Sequence, residues 1–339
     1  MMSDTAQKLS DRALLFDRSA RLRMQFTGPK AVESLTGLVT NDVLALRGGD
    51  GQYACALTPK GRVIADVRIL ATSNADGLVD ALLVDTNAAA GVGFAAMIRK
   101  YVNPRLAKYI DISASTACLT LSGAGALDLL TRLGAAVSAV DDVRIGGVFT
   151  HRTVEVHGAS FRLVRIPDVG SVDAFDLNIA RSDVEALTAH LHAAGAASGD
   201  DADWHRMRVT AGRPEWGVDM DESTLAQEAN MDALHAISYR KGCYTGQETV
   251  ARVHFRGHVN RTLRRVSYAD GATPPLGTAL LAADSAAVGD ARSTAFRDDG
   301  ALVGIAMIRR EVGDGAVLTW LGGDGVVHPL TVNGAPDSD

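Results

Sequence analysis

From Thr262 onward the sequence contains only short apolar runs, LRRVSY, LVGIAMI, AVLTW and VVHPLTV, separated by Gly- and Asp-rich turns. None is long enough to wind an amphipathic helix. Strands of this length with turns between them tend to close on themselves, so this part predicts a small C-terminal β-barrel or sandwich. The chain before it behaves differently. Residues 20–26 alternate Ala20, Leu22, Met24 and Phe26 with Arg21, Arg23 and Gln25, the period of a half-buried strand, and Gly28-Pro29 breaks the run. A short helix is expected over 30–39. GQYACAL and RVIADVRIL, joined by Thr58-Pro59-Lys60-Gly61, read as a β-hairpin. LVDALLVD reads as a further strand, leading into an alanine-rich helix that ends near Tyr101.

The middle of the chain repeats the mixture, with strands around 117–122, 148–156, 161–166 and 175–179 and helices near 124–133 and 183–194. The fold class is therefore α+β. Small and acidic residues over 195–203 predict a surface loop into a new region. At 339 residues the length suits two or three domains. The expected division is 1–115 and 116–255 as two α+β parts, 256–332 as the β-domain and 333–339 as a frayed tail.

A content of 47% hydrophobic and 22% charged residues marks a folded globular chain. Thirty-four Lys and Arg against forty Asp and Glu leave a net charge of −6, which argues against broad binding to nucleic acid or anionic membrane. Any anion site must be local. Cys55, Cys118 and Cys243 fit neither a C-x-x-C pair nor a metal-knuckle spacing, and bridging two would leave one over, so a reducing compartment suits them. MMSDTAQKLSDRALLF has early acids and no apolar run of secretory length, and no run of about 18 apolar residues occurs elsewhere. A cytoplasmic location is expected.

The segment richest in chemistry is KGCYTGQETVAR, residues 241–252. Gly242 and Gly246 permit tight or left-handed backbone, and Thr245 and Glu248 have the spacing of a helix capping box. If that cap forms, Cys243 lies just before a helix N-terminus, where the dipole and Lys241 favour its thiolate. The same residues fit a small buried thiol in a turn equally well. One cysteine cannot by itself hold an iron–sulfur cluster, which usually takes about four thiolates.

Arg252, Arg256, Arg261, Arg264 and Arg265, with His254 and His258, form the only dense basic stretch, readable as an anion site or as a solvated strand face. No third ligand stands at a convincing spacing from the two histidines, so no metal site is expected. Gly123-Ala124-Gly125 lacks the third glycine of a dinucleotide fingerprint and reads as a tight strand-to-helix turn. Neither G-x-S-x-G, a P-loop nor H-E-x-x-H occurs.

KGCYTGQE followed by VAR at 250–252 resembles the signature of the YgfZ family of folate-binding proteins, related to the glycine-cleavage T-protein. LTGLVTNDV at 35–43, LTPKGRVIADVRI at 57–69 and AGRPEWGVDMDESTLAQEAN at 211–230 resemble other landmarks of that family and fall in order, so the resemblance spans roughly 15–320. It implies a three-domain ring with a central folate channel and tetrahydrofolate or a derivative as cofactor. It also implies a part in assembling or repairing iron–sulfur enzymes, including those that modify transfer RNA, acting through Cys243 with Lys241 beside it. Asn41, Asp42, Glu228, Asn230, Tyr244, Gln247, Glu248 and Arg252 are the folate contacts it implies. By residue type alone, Asn41 and Asp42 equally form a helix-ending turn, and Glu228 and Asn230 an exposed polar loop.

T-protein-like aminomethyltransferases have an essential aspartate in the helical segment after the strand that LVDALLVD resembles. Residues 86–110 contain no Asp or Glu, so that transfer is not expected here. Thr210 stands where many relatives have a glutamate that grips the pterin ring. Two rivals remain: a folate-dependent aminomethyltransferase with its carboxylate supplied from elsewhere, and a non-catalytic docking protein that has lost folate. The expected partners are folate and iron–sulfur client enzymes or assembly proteins, with neither nucleic acid nor membrane.

Overall fold

The structure, a computed structural model, describes residues 13–169 and 172–334. After β1 (Leu14–Asp17) come β2 (Leu22–Thr27), α1 (Ala31–Thr36), β3 (Gly51–Leu57), β4 (Val63–Ser73), β5 (Val79–Thr86), α2 (Ala88–Tyr101) and β6 (Lys108–Asp111). Strands β2 to β6 make a five-stranded sheet of order β3-β4-β5-β2-β6. Next are β7 (Thr116–Ser122), α3 (Ala126–Arg132), α4 (Val137–Ile145), β8 (His151–Val156), β9 (Ala159–Val169), β10 (Val172–Ala180), α5 (Val184–Ala193) and β11 (Ala197–Ser198). These strands and β1 form a six-stranded sheet of order β11-β1-β7-β10-β9-β8. Helices α6 (Asp201–Thr210) and α7 (Gln247–Arg256) flank a long segment without strands. A closed barrel ends the chain: β12 (Arg261–Tyr268), β13 (Ala279–Leu281), β14 (Ala287–Phe296), β15 (Leu302–Arg309), β16 (Val317–Leu321) and β17 (Val327–Val332).

The α+β class and the C-terminal barrel follow the sequence expectation. The hairpin over GQYACAL and RVIADVRIL is β3 and β4, paired antiparallel. Strand β4 explains how the halves meet. Its odd positions, Ala65, Val67, Ile69 and Ala71, are fully buried in one cluster with Leu35 of α1 and Phe94 and Ile98 of α2. Burying each such large side chain is worth about 1.5–3 kcal/mol. The even positions point the other way, as the pleat requires. There Leu70 packs with Leu14, Phe16, Val164 and Ile166 of the six-stranded sheet, while Asp66 and Arg68 remain polar between the sheets.

Several elements depart from expectation. Strand β1 joins the six-stranded sheet, between β7 and β11, and so carries the start of the chain into the fold of residues 116–198. Residues 195–203 are not simply a loop: Asp200 accepts from Asp203 N at 2.8 Å, Asp203 accepts from Asp200 N, and this reciprocal cap starts α6. The barrel has six strands where four apolar runs were legible. β13 is only three residues long, and Gly289, Asp290 and Arg292 interrupt the apolar pattern of β14. Asn333 is not frayed, since its N donates to Arg265 O at 2.8 Å and its Nδ2 to Ser267 Oγ at 2.7 Å. The rest of the expected tail, 335–339, and the first twelve residues lie outside the described residues. Among the described residues no helix is long and apolar enough to cross a membrane.

Candidate functional site

A buried ion network ties the two sheets together. Arg68 of β4 forms two contacts with Asp85 of β5, Nε–Oδ1 at 2.7 Å and Nη2–Oδ2 at 2.8 Å, and reaches Asp176 of β10 across the sheet interface at 2.5 Å. Arg21 adds a contact to Asp85 at 2.7 Å, and Thr120 donates to the other Asp176 oxygen at 2.6 Å. Burial alone would push the Asp85 carboxyl up, but the Arg21 and Arg68 guanidiniums hold it at about 2. These charges are satisfied by one another, as buried charges must be.

Above this network lies a cavity of about 720 Å³ between the sheets, α6 and the 213–216 and 234–235 segments. Tyr53, Phe149, Trp204 and Trp216 give it aromatic walls, with Tyr53 and Phe149 stacked at 6.4 Å between ring centroids. Arg18 lies over Trp204 at 4.0 Å, and burial, reinforced by the charge of Arg21, pulls its pKa down to about 10. Two lining carboxylates differ. Glu215 is engaged on both oxygens, by Arg208 at 2.8 Å and Asn87 at 3.2 Å. Asp66 accepts from Tyr53 OH on Oδ2 at 2.8 Å, while its buried Oδ1 and the neighbouring Gln52 Nε2 have no hydrogen-bond partner. Volume, aromatic walls and cations together fit a ligand with a flat polar heterocycle and an anionic part, as a reduced folate is.

The residues predicted to hold folate are elsewhere: none of Asn41, Asp42, Glu228, Asn230, Tyr244, Gln247, Glu248 or Arg252 is among the lining residues, nor is Cys243 or Lys241. Several are structural joints. Asp42 accepts from Leu44 N at 3.1 Å and starts a short 3-10 turn. Glu228 accepts from Leu225 N at 2.9 Å and pairs with Arg261 at 3.0 Å, and Asn230, with φ of 57°, donates to Leu263 O at 2.6 Å. Both are buried, not parts of an exposed loop, and fasten the 224–236 segment to the barrel. Thr210, the last residue of α6, does not line the cavity either.

The 241–248 loop meets the cavity only through intermediaries. Lys241 is buried and spends all three ammonium hydrogens on backbone carbonyls, those of Thr36, Val39 and Asn41, at 2.6–2.8 Å. Burial lowers its pKa to about 8. Asn41 in turn donates to Tyr53 O and His235 O, both at 2.9 Å, and these two residues line the cavity. Tyr244 is buried beneath the Lys241 ammonium, 4.9 Å away. Cys243 itself is exposed, whereas Cys55 and Cys118 are buried and burial pushes both of those thiols up.

The expected capping box does not form. Helix α7 begins at Gln247 with Gly246 as its N-cap, no side chain caps it, and Cys243 lies three positions further out. Gly246 has φ of 86°, and a Cβ there would come within 2.7 Å of Thr58 O, so the close approach of the β3–β4 turn sets this helix start. Gly242, by contrast, faces open space. The basic stretch also divides. Arg261 pairs with Glu228 and Arg264 with Asp314, while Arg252, His254, Arg256 and His258 are exposed on or just beyond α7. Tyr239 stacks on His254 at 3.6 Å.

Fold and site together define an α+β protein with a ligand-sized inter-sheet cavity and a free surface thiol. Residues 2–239 match the family of the GCVT N-terminal domain, and the chain belongs to that family. In agreement with the resemblance carried by KGCYTGQE, it is 28% identical to a tRNA-modifying protein YgfZ of Pectobacterium carotovorum, over 70% of this chain and 65% of that protein. It is also 28% identical to a mitochondrial iron-sulfur cluster assembly factor IBA57 homolog of Mycosarcoma maydis, over 80% of this chain and 62% of that protein. The chain thus spans somewhat less than two thirds of these relatives' lengths. The glycine cleavage system aminomethyltransferase T of Bartonella henselae shares the fold, with a TM-score of 0.83 at 18% identity over 97% of this chain and 87% of that one.

Proposed function

We propose that this chain is a tetrahydrofolate-binding accessory protein for iron–sulfur enzymes, tRNA-modifying ones among them, that holds the folate in the inter-sheet cavity and acts on its clients through Cys243. The observation that carries the reading is the contrast among the three cysteines: Cys55 and Cys118 are sealed in the core, and Cys243 alone is exposed, in the loop that supports the family resemblance. Relatives named for iron–sulfur cluster assembly and tRNA modification supply the client class. A lone thiol suits contact with a cluster that its partner holds, since resident clusters usually take about four thiolates. A bound reduced folate would supply a reduced pterin and a one-carbon carrier. This chain's residues bind and enclose it: aromatic walls exclude water, and Lys241 and Asn41 connect the cavity wall to the thiol loop. A cytoplasmic location belongs to the same reading.

Aminomethyl transfer is the weaker reading. Helix α2 carries no carboxylate, and Asp85, at the end of the preceding strand, is committed to Arg21 and Arg68. The test is complementation. In cells lacking the protein, the wild type restores iron–sulfur enzyme activity and a Cys243→Ala protein does not; equal restoration by both removes the thiol from the account.

A further inference from the structure

A second cavity, of about 320 Å³, lies between the same two sheets on the far side of the Arg68–Asp85–Asp176 network. Strand register shows the separation. Asp176 of β10 pairs with Val164 of β9; two residues along the same face Asn178 pairs with Arg162, and both line the second cavity, while two residues the other way Ala174 pairs with Ile166, which lines the first. Thr153 of β8 pairs with Arg162 in turn, and Ser160 follows on the same face. Opposite stand Leu70 and Leu83, cross-strand partners on the face of the five-stranded sheet that meets β9.

The cations of this cavity are not answered by carboxylates. Arg23, 5% exposed, gives all five guanidinium donors to Thr116 Oγ1 and to the carbonyls of Ser19, Arg21, Ser113 and Thr116, none of them charged. Arg162 donates from Nη1 to the neutral ring of His151 at 3.0 Å, and among the described residues it has no carboxylate partner. Its Nε and Nη2 are unbonded yet not sealed, in a residue that lines the cavity. A half-buried guanidinium with two open donors favours an anion. We propose that this cavity binds a small organic carboxylate, its oxygens on the open Arg162 donors and its apolar body against Leu70 and Leu83. The planar fork of arginine matches a carboxylate in two parallel bonds, and the leucines favour a ligand with an apolar body over an inorganic anion. With less than half the volume of the first cavity, the site suits a ligand far smaller than a folate. It stands apart from the folate reading and does not depend on it.

Calorimetric titration with 3-phenylpropionate tests it, using wild type, Arg162→Met and Ser160→Trp, with the uncharged 3-phenylpropionamide as the control ligand. Arg162→Met keeps an apolar stem and removes the fork, and Ser160→Trp fills the cavity from an exposed position. Wild type should bind the acid with a Kd below about 1 mM, and Arg162→Met and Ser160→Trp should each bind it at least about 10-fold more weakly. The amide should bind wild type at least about 10-fold more weakly than the acid. 5-Formyltetrahydrofolate should not compete, because the ion network lies between the two cavities; competition would put the acid in the first cavity and overturn the assignment. No binding of the acid by wild type at about 10 mM overturns it too, as does equal affinity of wild type and Arg162→Met. Should Arg162→Met fail to fold, the other two comparisons decide: equal affinity for acid and amide, or unchanged binding by Ser160→Trp, overturns the assignment.

Discussion

The cavity and the thiol loop are neighbours built in opposite ways. Around the cavity, charge is buried and answered: Arg68 is shared between Asp85 and Asp176, and Arg208 reaches both Glu215 and a fully buried Asp219. Around Cys243, a single buried cation, Lys241, is used wholly for positioning, and the thiol itself is left in solvent with Arg252 and Glu248 exposed nearby in sequence. One region is preorganised to enclose a small molecule; the other is open to something large. This difference teaches that the two can be damaged separately.

The sharpest separation is expected from Cys243→Ser. It should abolish rescue of iron–sulfur enzymes in cells and change unfolding free energy by less than about 0.5 kcal/mol, as exposed sites usually do. Arg68→Ala should do the reverse of what an exposed site does. It strips a partner from two buried carboxylates and should cost about 3–5 kcal/mol in urea unfolding. Acid offers a milder probe of the buried side. His151 donates from Nε2 to Asp50 O at 3.2 Å and accepts from Arg162 at 3.0 Å, and burial, then the charge of Arg162, lowers its pKa to about 4. The unfolded chain takes up this proton near pH 6.5 and the folded one only near 4. Stability is therefore lost as pH falls through that window, by up to about 3 kcal/mol, and His151→Gln should flatten that part of the profile. The smallest effect is expected at the border of the two regions. Gly246→Ala, with φ of 86° and Thr58 O in the way, should cost about 2 kcal/mol and raise the reactivity of Cys243 toward iodoacetamide as the loop lifts.

What was legible in the sequence follows the same divide. Strands with regular alternation, such as Leu22–Thr27 and the two of the hairpin, were found because a half-buried strand writes its period into the chain. The segment around Cys243 stood out because its motif is local. The cavity was not, since Arg18, Gln52, Asp66, Trp204 and Glu215 come from distant segments and meet only when the sheets pack. A signal existed: Asp66 and Arg68 put charge on one face of an otherwise apolar strand, which a core strand with two dry faces would not carry. Of the two readings open for Glu228 and Asn230, the exposed polar loop fails because their partners, Arg261 and Leu263, lie 33 residues further on. The capping box failed for a related reason, since the contact that sets the start of α7 comes from Thr58 and not from the helix's own sequence.

Binding of 5-formyltetrahydrofolate to the Cys243→Ser protein tests most directly whether cavity and thiol are two sites. An affinity equal to that of wild type is the outcome the account requires. A loss of tenfold or more would put the sulfur inside the folate site and contradict it.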